Sequence, residues 1–218
     1  IIEACAEDGY QAPESLDALL GIIEERIASK KAEGMVGVKF IGTAHLPGNR
    51  DDAQWAYPRV MSDDPQPGDG RALNAFLTDF VLDQCGMHDL VAVLHTGVWA
   101  GMGADIRTIR PTNAFDWARA HPGTRFDVFH AGTPWPVDAA FVCRSAPNIY
   151  LNACWSHLLA PQLTKQAYDW WLDMLPINRI SAWGGDYWRA VENVYGVVTV
   201  VRDILAEVLA ARIERGDL

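Results

Sequence analysis

The sequence lacks a surplus of basic residues and any long apolar run. Acidic residues outnumber basic ones by 28 to 18, so the formal net charge is −10. An acidic chain without a local basic patch binds phosphate backbones and anionic lipid poorly, so we expect neither nucleic acid nor membrane as a partner. No apolar stretch approaches the ~20 residues that a membrane-spanning helix needs.

Closely spaced cysteine pairs are also missing. Cys5, Cys85, Cys143 and Cys154 are scattered and form no C-x-x-C motif. Such spacing is typical of reduced thiols rather than of a disulfide framework or a zinc ribbon. The first residues do not show a basic segment followed by an apolar one, which is the pattern of a secretory signal peptide. Both observations predict a cytoplasmic location.

Helix-like and strand-like segments alternate along the chain. Apolar residues recur at helical spacing in residues 15–31, 71–85, 112–121, 136–145, 164–175 and 196–215. Short apolar runs lie between them at residues 35–40, 90–94, 125–129, 149–151 and from 180 onward. Residues 42–70 show no periodicity, so we expect a long loop there. The alternation predicts an α/β fold with parallel strands joined by helical crossovers.

The number of predicted strands is low for the most obvious architecture. A complete (β/α)8 barrel needs eight strands and roughly 250 residues, whereas this chain offers about five strands. Five strands could form a doubly wound sheet, or the second half of a barrel. The chain also begins at Ile1, within what looks like an element already under way. Such a start is typical of a fragment, and no composition shift indicates a second domain, so we expect residues 1–218 to form a single domain.

Four polar residues stand at the C-terminal ends of predicted strands, namely Lys39, His95, His130 and Asp186. These ends lie on one edge of a parallel sheet, so we expect the four side chains to converge. Imidazole and carboxylate groups are the usual ligands of zinc and similar divalent metals. The pattern predicts a metal that activates a water, with Asp186 accepting the proton and a histidine stabilising developing charge.

Each of these residues also has a structural interpretation. A single histidine at a strand end is more often a core or turn residue, and Asp186 could cap a helix. Lys39 could be a protective surface lysine on an edge strand. The two glycines before Asp186, Gly184 and Gly185, allow the backbone to bend or to approach another segment closely. The joint pattern therefore carries the hypothesis, not any one residue.

Further residues are candidates for contact with a small-molecule substrate. Lys39 could pair with an anionic group, and Arg107 or Arg110 could hold a carboxylate in a bidentate fork. Arg110 lies just before Pro111 and could equally be a surface charge at a helix entry. Aromatic residues suit the walls of a pocket, although most could simply pack; they are Trp99, Trp135, Trp155, Trp183 and Tyr187.

Three motifs are VAVLHTG at residues 91–97, RFDVFHAG at 125–132 and ISAWGGDY at 180–187. In this order and strand context they resemble the amidohydrolase superfamily, in its amidohydrolase-related branch, which also contains decarboxylases. Residues 178–196 are also similar to uronate isomerase-like members. The resemblance covers most of the chain from about Met35 onward.

The resemblance implies the C-terminal part of a (β/α)8 barrel with a metal, most simply zinc, at its C-terminal mouth. It implies that His95 and Asp186 bind the metal and that Asp186 is also the proton acceptor. His130 is a ligand or the catalytic histidine. Lys39 matches a strand-four position that is a carbamylated lysine in some branches.

One family feature is missing. The first strand of these barrels carries a His-X-His pair of metal ligands, and this sequence contains no His-X-His. Either the chain is part of a longer protein, or it is a truncated homologue that holds metal poorly. A half-barrel exposes sheet edges and an apolar interior. We expect the isolated polypeptide to aggregate or dimerise, and the full-length protein to be a homo-oligomer.

Three functional hypotheses follow. The first is a metal-dependent hydrolase acting on a C–N or C–O bond of a small polar substrate. The second is a metal-dependent decarboxylase or uronate isomerase-like enzyme, for which Arg107 or Arg110 matters more. The third is a non-catalytic homologue that keeps the packing and only binds a ligand or partner.

Overall fold

The structure is a computed structural model that describes residues 13–41, 44–62, 64–99, 101, 105–187 and 191–218. Its strands are β1 (Gly37–Ile41), β2 (Val91–His95), β3 (Arg125–Val128), β4 (Ile149–Asn152) and β5 (Ile180–Ser181). They run parallel in one sheet, in the order β1-β2-β3-β4-β5. The predicted α/β architecture with helical crossovers is confirmed.

The helices in the described chain are α1 (Leu16–Ala32), α2 (Arg50–Met61), α3 (Asp69–Met87), α4 (Asn113–Ala120), α5 (Pro136–Ser145), α6 (Ser156–Leu159), α7 (Pro161–Met174) and α8 (Val191–Arg215). Single 3₁₀ turns occur at His130–Gly132 and Ile177–Arg179. Among the described residues, we find no helix with the length and apolar content that crossing a membrane requires.

Helix α2 lies inside the segment that the sequence predicted to be a loop, so that prediction is wrong. The Asn49 side chain caps the helix by accepting a hydrogen bond from the Asp52 amide at 3.0 Å. The buried face consists of only Ala53, Ala56 and Tyr57. Two alanines give a weak apolar periodicity, and Pro58 within the helix weakens the signal further.

Most other predicted elements are found with shifted ends. The Ser15 cap of α1 is confirmed, because its hydroxyl accepts from the Ala18 amide at 3.1 Å. Helix α8 begins at Val191, five residues before the predicted start at Gly196. Strand β5 is only two residues long. The described cysteines Cys85, Cys143 and Cys154 are buried free thiols; Cys5 and part of the glycine-rich loop after Gly97 lie outside the described residues.

Contacts divide the chain into two compact units. Of the described residues, the first unit comprises those up to Val38 together with those from His45 to Val91, and the second comprises Lys39–Ile41, Ala44 and those from Ala92 onward. The first unit buries apolar residues of its helices, such as Leu19 and Ile23 of α1. The extent of the domain, residues 1–218, stays a prediction.

Along the strands β2, β3 and β4, fully buried residues alternate with half-buried ones. One set is at most 1% exposed and comprises Ala92, Leu94, Phe126, Val128, Ile149 and Leu151. The residues between them are half-buried, including Asp127 and Tyr150, which face each other in the β3–β4 register. Because side chains alternate along a strand, β2, β3 and β4 present one fully apolar face, and the opposite face carries polar groups such as Asp127.

Candidate metal centre

Three of the predicted site residues meet beyond the carboxyl ends of strands in the second unit. His95 is the last residue of β2, His130 lies in the turn after β3, and Asp186 follows β5. One nitrogen of each imidazole and one carboxylate oxygen all lie within 4.8 Å of one another. Residues that are 35 to 91 positions apart in sequence therefore share one small volume.

The backbone at this place is held in conformations that most residues avoid. His130 has φ 64° and Asp186 has φ 50°, both in the left-handed region. Such angles in non-glycine residues cost of order 1 kcal/mol or more and cluster at functional sites. Only a glycine fits at position 184, two residues before Asp186, because a Cβ there would lie 2.9 Å from the Cys154 sulfur. The predicted close approach at Gly184 is confirmed.

The two imidazoles face each other with specific atoms. His95 Nδ1 lies 3.1 Å from His130 Nε2, and the ring centroids are 4.4 Å apart. His130 Nε2 also lies 3.5 Å from Oδ2 of Asp186. Two nitrogens and one oxygen thus point into the same space.

The outer ring nitrogens are each fixed by a backbone carbonyl. His95 Nε2 lies 3.0 Å from the Val98 carbonyl oxygen, and His130 Nδ1 lies 3.0 Å from that of Cys154. A carbonyl can only accept, so each outer nitrogen carries the ring proton and donates it. The inner nitrogens of the two neutral rings are then both lone pairs.

Two lone pairs 3.1 Å apart repel unless a cation lies between or beside them. A proton or a metal ion can supply that charge. Catalytic zinc takes three protein ligands and leaves a fourth position open, and imidazole and carboxylate are among its preferred ligands. An imidazole that donates its other N–H to a backbone carbonyl is the usual arrangement for a metal-bound histidine. The donor set therefore fits a divalent metal.

Burial keeps the two rings neutral. His95 is 6% exposed and His130 is fully buried. Burial lowers the pKa of both imidazoles, and the nearby positive charge of Lys39 lowers the pKa of His95 further. Neutral imidazole is the form that binds metals. Near pH 7 both side chains are thus in the ligand form.

Lys39 reaches the same centre from β1. Its ammonium group lies 2.7 Å from Oδ1 of Asp186 and 5.4 Å from the centroid of the Phe129 ring. The two carboxylate oxygens are therefore divided, with Oδ1 on the lysine and Oδ2 towards His130. The Lys39 side chain remains 39% exposed, so it is accessible to a substrate.

The other predicted substrate residues lie apart from this cluster. Arg110 stacks 4.9 Å above the Trp135 ring, Trp183 is 42% exposed, and the Tyr187 ring packs against Gly185. In the described part of the chain, none of the three forms a hydrogen bond, ion pair or ring contact with the histidines or Asp186. Their role in substrate binding stays a prediction.

Two other tryptophans border the histidines. The Trp99 ring centroid is 4.5 Å from that of His95, and Trp155 is 5.6 Å from His130. Trp99 also lines a cavity of about 430 Å³ with Trp135 and Thr133. The aromatic wall expected from the sequence thus exists, but Trp99 and Trp155 rather than Trp183 contact the imidazoles.

Sequence reasoning missed the groups that hold the histidines in place. The carbonyls of Val98 and Cys154 leave no trace in a sequence. Asp127 and Asn152 did leave a signal, because each is a polar residue next to buried apolar residues of a short strand. Cys154 itself is not a nucleophile candidate, since burial raises the pKa of its thiol to about 12.

The amidohydrolase family model matches residues 18–192 of the chain. The chain therefore belongs to the amidohydrolase family. No curated protein is significantly similar to it.

Several solved structures share the fold. They include a uronate isomerase from Thermotoga maritima (TM-score 0.79, 15% identity, covering 100% of this chain and 52% of that chain). A glucuronate isomerase from Caulobacter crescentus has TM-score 0.76 and 14% identity, covering 100% and 49%. A candidate metal-dependent hydrolase from Lactobacillus casei has TM-score 0.73 and 19% identity, covering 96% and 56%.

These identities support a shared fold and nothing finer. The relatives are (β/α)8 TIM barrels, so the predicted partial barrel is confirmed. The chain spans about half the length of these solved structures.

Proposed function

We propose that this chain carries part of the active site of a metal-dependent hydrolase acting on a C–N or C–O bond of a small polar substrate. His95, His130 and Asp186 hold the divalent metal, and zinc suits two imidazoles and a carboxylate. Membership of the amidohydrolase family supports the hydrolytic class.

The observation that carries this proposal is the pair of inward-facing imidazole nitrogens. His95 Nδ1 and His130 Nε2 lie 3.1 Å apart, and both rings have their outer N–H groups engaged by carbonyls. Among the described residues, the cation near these two nitrogens is the Lys39 ammonium, and it is already paired with Oδ1 of Asp186 at 2.7 Å. A bound cation gives this geometry a physical reason.

The residues divide the chemistry between them. A divalent ion, when bound, supplies positive charge that polarises a substrate carbonyl and lowers the pKa of a water. Asp186 is the proton acceptor. Its Oδ2 lies 3.5 Å from His130 Nε2, and its Oδ1 accepts from Lys39 at 2.7 Å. His130 stays neutral and keeps its ring plane through the Cys154 carbonyl. The exposed part of Lys39 pairs with negative charge on the substrate.

A second candidate is decarboxylation or uronate isomerisation of a carboxylated substrate. The observation that favours it is Arg110, whose exposed guanidinium is held over Trp135 and has no carboxylate partner in the described chain. Arginine binds carboxylates in a bidentate manner, and Trp135 borders the cavity that Trp99 also lines. The uronate isomerase structures support the same reading at the level of fold.

The first experiment measures the divalent-metal content of the protein. In protein expressed from the complete reading frame, we expect stoichiometric divalent metal by mass spectrometry, and its loss in His130→Gln. His157→Gln is the matched control, because His157 is equally buried but lies outside the cluster. Wild-type protein that holds no metal and is indifferent to chelators would point to the non-catalytic homologue.

The second experiment separates the reactions. Amide and ester panels are assayed for hydrolysis, and carboxylate panels for CO₂ release or for isomerisation of uronates. Hydrolysis that survives Arg110→Gln supports the first candidate. CO₂ release or isomerisation that Arg110→Gln abolishes supports the second.

A further inference from the structure

The buried side-chain amide of Asn152 connects the end of β4 to Asp127 in β3 and to the turn at Cys154. Only 8% of it is exposed. Asp127 faces Tyr150 in the β3–β4 register, and side chains alternate along a strand. Asn152 therefore lies on the same face of the sheet as Asp127, one pair further towards the metal centre.

The contacts of Asn152 fix which way its amide points. Its Oδ1 accepts from the Cys154 backbone amide at 2.9 Å, and its Nδ2 donates to Oδ2 of Asp127 at 2.9 Å. A backbone N–H can only donate and a carboxylate can only accept. The opposite orientation would lose both hydrogen bonds.

The Cys154 peptide is the next link. Its carbonyl accepts from His130 Nδ1–H at 3.0 Å and from the Ser156 amide at 2.8 Å. Both lone pairs of this oxygen are therefore used. Because Asn152 holds the amide of residue 154, it restrains the turn that aims this carbonyl at His130.

Asp127 is held at the far end of the chain of hydrogen bonds. Its Oδ1 is buried and has no hydrogen-bond partner in the part of the chain that the structure describes. Burial raises the pKa of Asp127 to about 6, and the hydrogen bond from Asn152 opposes that rise. Among the described residues, the Asp127 carboxylate thus accepts a hydrogen bond from Asn152 alone, and this bond fixes the orientation of both side chains.

We propose that Asn152, oriented by Asp127, is a positioning residue that keeps His130 in its Nδ1–H form through the Cys154 peptide. His130 Nε2 then remains the lone pair that faces the metal. The importance of this for metal binding rests on the proposed function, whereas the effect on the ring proton does not.

A purely structural role for Asn152 is the competing explanation, and β4 offers a matched control. Asn148, just before the strand, donates to the carbonyls of Ala118, His121 and Thr124 at 2.9 to 3.2 Å. Asn148 is the same residue type beside the same strand, but it stands at the end away from His95 and His130.

The first readout is the ¹⁵N NMR signature of the imidazole of His130 in metal-free protein from the complete reading frame. We expect wild type to show a protonated Nδ1 and an unprotonated Nε2. Asn152→Ala is expected to give a mixture of both ring forms, whereas Asn148→Ala is expected to lower the melting temperature and leave the wild-type pattern intact.

A charge-swap variant protects the test against simple misfolding. In Asn152→Asp a second carboxylate faces Asp127, and above the pH at which the pair shares a proton their repulsion removes the hydrogen bond between residues 152 and 127. In the double variant Asn152→Asp with Asp127→Asn, the new carboxylate accepts from both the Cys154 amide and the residue-127 amide. We expect the double variant to restore the Nδ1–H form of His130.

The second readout is zinc affinity by competition with a chromophoric chelator. Loss of a group that orients a metal-binding histidine typically costs about 10- to 100-fold in affinity. We expect that loss in Asn152→Ala, recovery in the double variant, and wild-type affinity in Asn148→Ala.

Two results separate the possible failures. If Asn152→Ala and Asn152→Asp fold and keep the wild-type ring pattern, or the double variant fails to restore it, the inference is overturned. If wild type shows the expected ring pattern but takes up no zinc, the proposed function fails and the positioning role stands.

Discussion

The two ends of β4 look alike in sequence and differ in what they hold. Asn148 stands before the strand and donates to three carbonyls in α4 and in the turn that leads into β3. Asn152 ends the strand and contacts Asp127 and the Cys154 amide, next to the cluster of His95, His130 and Asp186. In parallel α/β proteins, the carboxyl ends of strands carry function and the amino ends carry stability.

Arg179 lies at the amino end of β4, the end that carries stability, and we call this the stabilising end. Its guanidinium donates to the carbonyls of Ile149, Cys143 and Ala146, with Nη2 2.8 Å from the Ala146 oxygen, and stacks 5.0 Å above the Tyr150 ring. The positive charge of Arg179 is thus used to satisfy backbone carbonyl oxygens. The comparison shows that burial and hydrogen bonding alone do not identify a site, since both ends have them.

The largest effect is expected from Asp186→Asn at the functional end. The amide cannot accept the proton, so activity should fall by about 10²- to 10⁴-fold. The melting temperature should change little, because the carboxylate is partly exposed. Steady-state kinetics and a thermal melt of the same preparation check the two halves of this prediction.

Next in size is Arg179→Met at the stabilising end. The carbonyls of three buried residues, Cys143, Ala146 and Ile149, lose a donor, so we expect a fall of about 3 kcal/mol in the free energy of unfolding. Zinc affinity, measured by chelator competition, should be unchanged. Arg144→Met is the control, because Arg144 is exposed and donates to the carbonyl of Met174 alone among the described contacts; equal losses in both variants would contradict the comparison.

A smaller effect is expected from Asp127→Asn, and it depends on pH. Burial raises the pKa of Asp127 to about 6 in the folded state, above an unfolded value near ~3.9. The folded state therefore holds this proton more tightly, and ionisation costs stability as the pH rises from about 4 to 6. Relative to wild type, Asp127→Asn should gain about 2 kcal/mol at pH 7 compared with pH 4.

Denaturant unfolding of both proteins at each pH measures that difference. The buried histidines contribute in the opposite direction, because their lowered pKa makes the unfolded state bind protons first as the pH falls. This contribution is common to both proteins and cancels in the comparison. A difference that does not change with pH would show that Asp127 is not desolvated.

The smallest stability effect is expected from Lys39→Met. The ion pair with Asp186 is partly exposed, with side chains 39% and 26% accessible, so its removal should change stability by less than about 1 kcal/mol. Loss of the positive charge should raise KM for an anionic substrate by about tenfold. A drop in melting temperature as large as that of Arg179→Met would place Lys39 with the stabilising residues.

The sequence was sufficient for the features that repeat or stand at strand ends. His95, His130 and Asp186 could be found because each interrupts an apolar run at its carboxyl end, and parallel strands bring such ends together. Helix α2 could not be found, because Ala53 and Ala56 form a buried face that carries almost no hydrophobic signal.

The supporting residues were hidden for a different reason. Asn152 reaches His130 only through the backbone of Cys154, so its role depends on a turn that no side-chain pattern encodes. Arg110 is a different case. Its residue type and position predict substrate binding, and this stays a prediction; the structure places its guanidinium over Trp135, outside the cluster of His95, His130 and Asp186.

The most direct test of the central claim is a crystal structure of the complete protein grown with zinc and measured at the zinc absorption edge. We expect an anomalous peak about 2.0–2.1 Å from both His95 Nδ1 and His130 Nε2, with a carboxylate oxygen of Asp186 as a further ligand. A zinc-loaded crystal whose peak lies elsewhere, with these nitrogens unliganded, would contradict it.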